Sequence, residues 1–239
     1  MLLVANWKQF LSPAQEISLT KELINYTSTH PSSHQLCLLP SALSLKEIGE
    51  LLADSGSTIQ VGAQDVANDL IPAQTGSLRA DFIPAKTILI GHAERSHLNH
   101  ETIEDIQQKI ASALQANKEI ILCFGEKEMT TSDKQLLLLL TEELMHYAMV
   151  INDRYASITL AYEPTWMIGS SETFSAHRLM QVITIANACG FAKVLYGGNI
   201  NQRNIQSLLI PGLSGFLVGR ASTKFEEIIA LLEALPKTE

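Results

Sequence analysis

Ser157-Ile158-Thr159-Leu160-Ala161-Tyr162 runs directly into Glu163-Pro164-Thr165-Trp166-Met167-Ile168-Gly169-Ser170-Ser171. The first six residues read as an apolar strand. Pro164 stops it and stiffens the near end of the loop that follows, while Gly169 and two serines leave the far end pliable. A carboxylate at the mouth of a strand, beneath such a loop, has the arrangement of a general base under a lid. On this segment alone, a carboxylate that merely ends a strand is the better-supported reading.

The same unit recurs along the chain. Apolar runs at Leu2–Trp7, Gln35–Leu39, Ile59–Ala63, Thr87–Gly91, Glu119–Gly125, Ser157–Tyr162, Lys193–Gly197 and Gly215–Val218 stand roughly 30 residues apart, with amphipathic stretches between them. Continuous apolar runs fit strands buried on both faces, as in a parallel sheet. The intervening stretches read as helices. Asn99 serves as N-cap to one in which Ile103, Ile106, Ile110, Ala113 and Leu114 recur at helical spacing, and Ser222 to Leu235 forms the last. Eight strand–helix units without a linker predict one domain over residues 1–239, a (β/α)8 barrel of eight parallel strands with outer helices. An open doubly wound sheet is the alternative, but Asn6-Trp7-Lys8 stands where a G-x-G-x-x-G turn belongs.

Composition sets the outer bounds. The chain has 239 residues, 46% of them hydrophobic, enough for a sizeable core. Seventeen basic against 25 acidic residues give a formal charge of −8, and no basic face suggests nucleic acid. Cys37, Cys123 and Cys189 lie far apart and form no CxxC pair, so they read as reduced core thiols. Met1 to Lys8 lacks the charged flank of a signal peptide, and no apolar run reaches the ~20 residues that cross a bilayer. Leu136 to Leu140 is only a leucine patch in a polar helix. The expectation is a soluble, cytoplasmic protein with no membrane partner.

In a parallel barrel the strand C-termini open on one face, where active sites sit. That face would gather Asn6 and Lys8, His92, Glu163, Gly197-Gly198 and Gly219-Arg220. Singly, Lys8 could be a solvated loop lysine, His92 a histidine at a helix start, and the glycines an ordinary turn. Together they support one chemistry. The carboxylate removes a proton next to a carbonyl, histidine and lysine stabilise the oxygen that gains charge, and glycine turns hold a phosphate. The sequence contains no metal-ligand cluster and no nucleotide loop, so no cofactor is expected.

Asn6-Trp7-Lys8, Val61-Gly62-Ala63-Gln64, Gly91-His92-Ala93-Glu94-Arg95, Cys123-Phe124-Gly125-Glu126, Ala161 through Gly169 and Tyr196-Gly197-Gly198 resemble, in order and spacing, the signature blocks of the triosephosphate isomerase family. The resemblance runs from residue 2 to residue 222. It implies interconversion of dihydroxyacetone phosphate and glyceraldehyde 3-phosphate, with Glu163 as base, His92 as a neutral electrophile, Lys8 neutralising charge and Asn6 positioning the substrate oxygen. It also implies Gly169, Gly198, Asn199, Gly219 and Arg220 at the phosphate, Glu94 as a buried carboxylate beside Lys8, and Tyr196 as the latch of the closed lid. A homodimer is implied too, with Arg95 at the interface and Thr75 reaching the partner's site. The long Gln64–Ser77 loop agrees, because Val66, Leu70 and Ile71 would otherwise meet water; a loop folded over its own barrel is the other option.

The chain departs from the family pattern in several places. Ala93 replaces a serine and Asp65 an asparagine, Ser77 a glutamate, Asn199 a serine and Arg220 a glycine. Ser171-Glu172-Thr173 replaces the lid's usual Gly-Lys-Thr. Two other functions therefore stay open: an isomerase or lyase acting on another sugar phosphate, and a barrel kept only for binding.

Overall fold

Each apolar run is a strand, to within one residue of its expected bounds. They are β1 (Leu2–Asn6), β2 (Gln35–Leu39), β3 (Gln60–Ala63), β4 (Thr87–Ile90), β5 (Glu119–Phe124), β6 (Ile158–Tyr162), β7 (Val194–Tyr196) and β8 (Gly215–Val218). In the computed structural model, which describes residues 1–68, 74–130, 132–167 and 174–236, all eight are parallel and pair in sequence order into a closed barrel, not an open sheet. Successive side chains alternate between the two faces of the wall. Val4, Cys37, Leu39, Leu89, Cys123 and Leu217 belong to a cluster that fills the barrel, whereas Leu3, Leu38, Ile88, Leu122 and Phe216 pack outward on the helices.

The seam is made where β8 meets β1, from Leu2↔Gly215 to Ala5↔Val218. Gly215 has φ 154°, and a Cβ there would fall 1.8 Å from the Leu2 carbonyl oxygen. The closure therefore requires glycine. Trp7 Nε1 donates to the Ser222 carbonyl at 2.7 Å and ties the ends of the two strands together.

The outer layer holds α1 (Pro13–Thr29), α2 (Leu45–Asp54), α3 (Ala93–Leu98), α4 (Ile103–Gln115), α5 (Asp133–Ile151), α6 (Ala176–Ala188) and α7 (Phe225–Glu233). Not every crossover is helical. Among the described residues, β3–β4 carries only a 3₁₀ turn at Ala80–Phe82 and β7–β8 one at Ile205–Leu208. In the second, Ile205 and Leu208 bury enough apolar surface to cover the wall without a full helix. Two helix starts also differ from expectation. Thr102, not Asn99, caps α4 through a reciprocal box with Asp105, and Asn99 instead ends α3. The last helix begins at Phe225, because Ser222 turns its hydroxyl back to the Val218 and Gly219 carbonyls. In α5, Leu136, Leu140, Leu144, Tyr147 and Ile151 face the barrel, while Leu137, Leu138 and Leu139 are exposed. Each buried leucine contributes about 1.5–3 kcal/mol of transfer free energy. No helix among the described residues is long and apolar enough to cross a membrane.

Glu143 of α5 reaches inward, accepting from Tyr147 Oη at 2.9 Å and from the Gly125 N–H at 3.2 Å. Burial outweighs both bonds and pushes its carboxyl up to about 7. The folded state thus holds a proton that the unfolded chain releases near its ordinary value of 4.5. Its stabilisation is complete below that value and is lost as pH rises through about 7. Glu143→Gln should match the parent at about pH 4.5 and exceed it by up to about 3 kcal/mol at about pH 8. Urea unfolding at the two pH values measures this; a difference independent of pH would remove the explanation.

Candidate active site

The inward alternation of the strands continues one step past their ends. Val4 and Ala161 fill the barrel, and two residues on from them Asn6 and Glu163 point into its mouth. The ladder itself extends that far, with the Glu163 N–H donating to the Phe124 carbonyl and the Gly197 N–H to the Tyr162 carbonyl, both at 2.8 Å. A cleft of about 760 Å³ opens there, lined by Asn6, Lys8, His92, Glu94, Glu163, Gly197, Gly198, Asn199, Gly219 and Arg220. The expected residues converge, except Gly169, which with Ser171, Glu172 and Thr173 lies outside the described residues.

Glu163 is buried, with Oε1 3.3 Å from His92 Nε2 and Oε2 accepting the Ala93 N–H at 3.2 Å. Where the family pattern has a serine, the Ala93 main-chain amide donates to the carboxylate. His92 caps α3, and its Nδ1 accepts the Glu94 N–H at 3.1 Å. A nitrogen that accepts carries no proton, so the ring is neutral and its one N–H is at Nε2, toward Glu163. The thiol of buried Cys123 is pushed up in pKa, first by burial and then by the nearby Glu163 carboxylate.

Lys8 holds a left-handed backbone with φ 51°, which costs a non-glycine residue energy. Two contacts hold it there. Its N–H donates to Asn6 Oδ1 at 3.1 Å, and Gln64 Nε2 donates to the carbonyls of both Lys8 (2.8 Å) and Leu39 (2.9 Å). The ammonium then pairs with Glu94 at 2.6 Å, and the side chain runs beside the Gly219 turn. Glu94 is the expected partner but is not buried: its side chain is 44% exposed, because the start of α3 lies on the rim.

Glu126 is a further support. Its buried carboxylate accepts from Tyr162 Oη (2.9 Å), Trp166 Nε1 (3.0 Å) and Arg178 Nη2 (2.8 Å), and its carbonyl accepts the Thr165 N–H at 3.1 Å. One side chain thereby fixes both the strand before Glu163 and the turn after it. Tyr196 Oη is buried without a hydrogen-bond partner among the described residues.

Arg220 pairs with neither Glu226 nor Glu227 of the helix that follows it. Glu227 pairs with Lys224 at 3.3 Å, and the guanidinium lies over the Phe10 ring, 5.4 Å from its centroid. Asp65 has a clear reason to be charged: it pairs with Lys109 at 2.6 Å and Arg95 at 3.0 Å. Val66 is buried within its own subunit and needs no partner to cover it, whereas Leu70 and Ile71 lie outside the described residues. Thr75 is exposed.

A closed parallel barrel with a carboxylate, a neutral imidazole and an ammonium gathered at its C-terminal mouth defines a barrel enzyme suited to proton transfer on a small anionic substrate. The family model for triosephosphate isomerase matches residues 1–235, and the chain belongs to that family. A triosephosphate isomerase of Lawsonia intracellularis is 30% identical over 248 residues, covering 98% of each chain. One from Thermoanaerobacter is 30% identical over 236 residues, 92% of this chain and 94% of the relative. One from Flavobacterium johnsoniae is 28% identical over 249 residues, with 98% of each covered.

Gly197 sets the room available to Glu163. A Cβ there would lie 2.7 Å from Glu163 Cγ and 3.4 Å from Oε1. Gly197→Ala should therefore push the carboxylate aside and lower kcat by about 10²-fold, the usual cost of an ångström of misplacement, with little change in melting temperature. Unchanged kcat would show that the carboxylate needs no such space.

Proposed function

We propose that the chain interconverts dihydroxyacetone phosphate and glyceraldehyde 3-phosphate. The observation that carries this reading is the Glu163–His92 pair: a carboxylate 3.3 Å from the Nε2 of an imidazole whose Nδ1 accepts from the Glu94 N–H, which leaves the ring proton on Nε2. The Glu163 carboxylate takes the proton from the carbon beside the carbonyl. The His92 N–H gives its proton to the carbonyl oxygen, forming an enediol. Glu163 then returns its proton to the neighbouring carbon while His92 takes back a proton from the other hydroxyl, whose oxygen becomes the new carbonyl, so both groups are restored and no electron leaves the substrate. The Lys8 ammonium offsets the charge that develops, and Asn6 orients the oxygen. Amides at Gly198–Asn199 and at the Gly219–Arg220 turn hold the phosphate, joined by Gly169 from the lid. The orphan hydroxyl of Tyr196 latches that lid, which excludes water and protects the enediol.

The same reading includes a homodimer. A hollow of about 430 Å³ beside the site is lined by Gln64, Asp65, Gln74, Arg95, Glu101 and Lys109. In it Arg95 Nε and Glu101 Oε2 are buried without hydrogen-bond partners among the described residues, although the two side chains form an ion pair at 3.6 Å through Glu101 Oε1. We assign the hollow to the partner's Thr75 loop, which would also cover the open side of Glu94. Light scattering at micromolar concentration should give twice the chain mass; a fully active monomer would sink the assignment.

Glu163→Gln should leave the cleft shape intact and reduce kcat by about 10²–10⁴-fold in a coupled assay with glyceraldehyde 3-phosphate. Near-normal turnover would mean that another group is the base.

A further inference from the structure

Four of the six arginines are held within the fold. Arg79, Arg95 and Arg178 pair with Asp81, Asp65 and Glu126, and Arg154 donates to the Leu114 carbonyl. Arg203 and Arg220 alone have no oxygen partner for their guanidinium groups among the described residues, and both line the active-site cleft. The carboxylate nearest in sequence to Arg220 that also lines this cleft, Glu227, is engaged by Lys224. In a chain of formal charge −8, one cleft is thus lined by two guanidinium groups that form no ion pair among the described residues.

Arg220 is also ordered. Phe10 is 45% exposed at the rim of the cleft, and the guanidinium lies over its ring. A stacked guanidinium has already given up part of the rotamer freedom that binding would remove, and its planar fork suits phosphate or carboxylate. The cleft has room for a longer ligand. At about 760 Å³ it lies in the range that encloses drug-sized molecules, and it continues past Gly198 and Gly219 to Asn201, Arg203 and Leu231.

We infer that the cleft contains a second anion subsite, formed by Arg203 and Arg220, which takes sugar phosphates bearing a second phosphate or carboxylate. Such a ligand places one phosphate at the Gly198 and Gly219 turns, resting on the site reading above, and its other anionic group on the two guanidinium groups. Sugar bisphosphates are therefore competitive ligands of the isomerase site, favoured over monophosphates by a charge-assisted contact for which a monophosphate held at the turns has no second anionic group.

Titration calorimetry with ribulose 1,5-bisphosphate and with glycerol 3-phosphate tests this without depending on turnover. The bisphosphate should bind the parent protein at least about tenfold more tightly, a modest gain for one charge-assisted site. That ratio should collapse to near unity in the Arg203→Gln, Arg220→Gln double variant. Arg203→Gln alone should lower the ratio while leaving glycerol 3-phosphate affinity and isomerase kcat as in the parent. Equal binding of the two ligands by the parent protein, or an advantage that survives the double variant, overturns the subsite. Isomerase activity measured alongside separates the two readings. An active isomerase with no bisphosphate preference removes only the second subsite, whereas a preference without isomerase activity supports the subsite and removes the reaction.

Discussion

Everything at the mouth of the barrel depends on how its wall closes. β1 and β8 come from opposite ends of the chain, and their pairing passes through Gly215, whose missing side chain lets the Leu2 carbonyl approach. Once that seam is made, the Lys8 side chain lies along the Gly219 turn and Trp7 is bonded to Ser222. A cation and a glycine turn more than 200 residues apart in sequence then share one wall of the cleft. The closed hydrogen-bonded ring also leaves no edge strand, so each reactive side chain stands on a wall that cannot splay.

Around the mouth, strain and support are balanced locally. Lys8 pays for its left-handed backbone through Gln64, whose amide donates to two main-chain oxygens. Glu126 does similar work on the opposite side, collecting a phenol, an indole and a guanidinium. Low-dielectric surroundings make these bonds strong because no water competes for them. The geometry of Glu163 is thus a property of its neighbours as much as of its own strand.

The sequence made the strands legible because apolar runs bounded by turn residues have one cheap solution, burial in a parallel sheet. The rim residues followed, since strand ends in a barrel must face one way. Other features leave no such trace. Gln64 acts on carbonyls 56 and 25 positions away, and no local pattern marks a side chain that bonds to distant backbone. Asn99 and Thr102 are both competent caps, and only the reciprocal bond with Asp105 decides between them. The crossover from β7 to β8 was expected to be helical, yet among the described residues the turn at Ile205–Leu208 covers the wall with two buried apolar side chains. The family's motif placed Glu94 beside Lys8 as a buried carboxylate, yet its side chain is 44% exposed, because burial depends on how the rim is built. Arg220 was the least readable, because a guanidinium at a glycine position has several destinations, and the ring that holds it lies far off at Phe10.

The seam also governs the order in which the molecule can be made. A ribosome releases β1 long before β8 exists, so the first strand must wait with one edge unpaired while the remaining strands assemble beside it. Contacts of such long sequence separation carry a large loop-closure entropy and form late. No N-terminal fragment, however well its own strands pair, can bring Lys8 to Gly219. Catalytic competence on this fold is therefore an all-or-none property of the finished chain, acquired only when its last strand docks, and a truncated product is inert as well as incomplete.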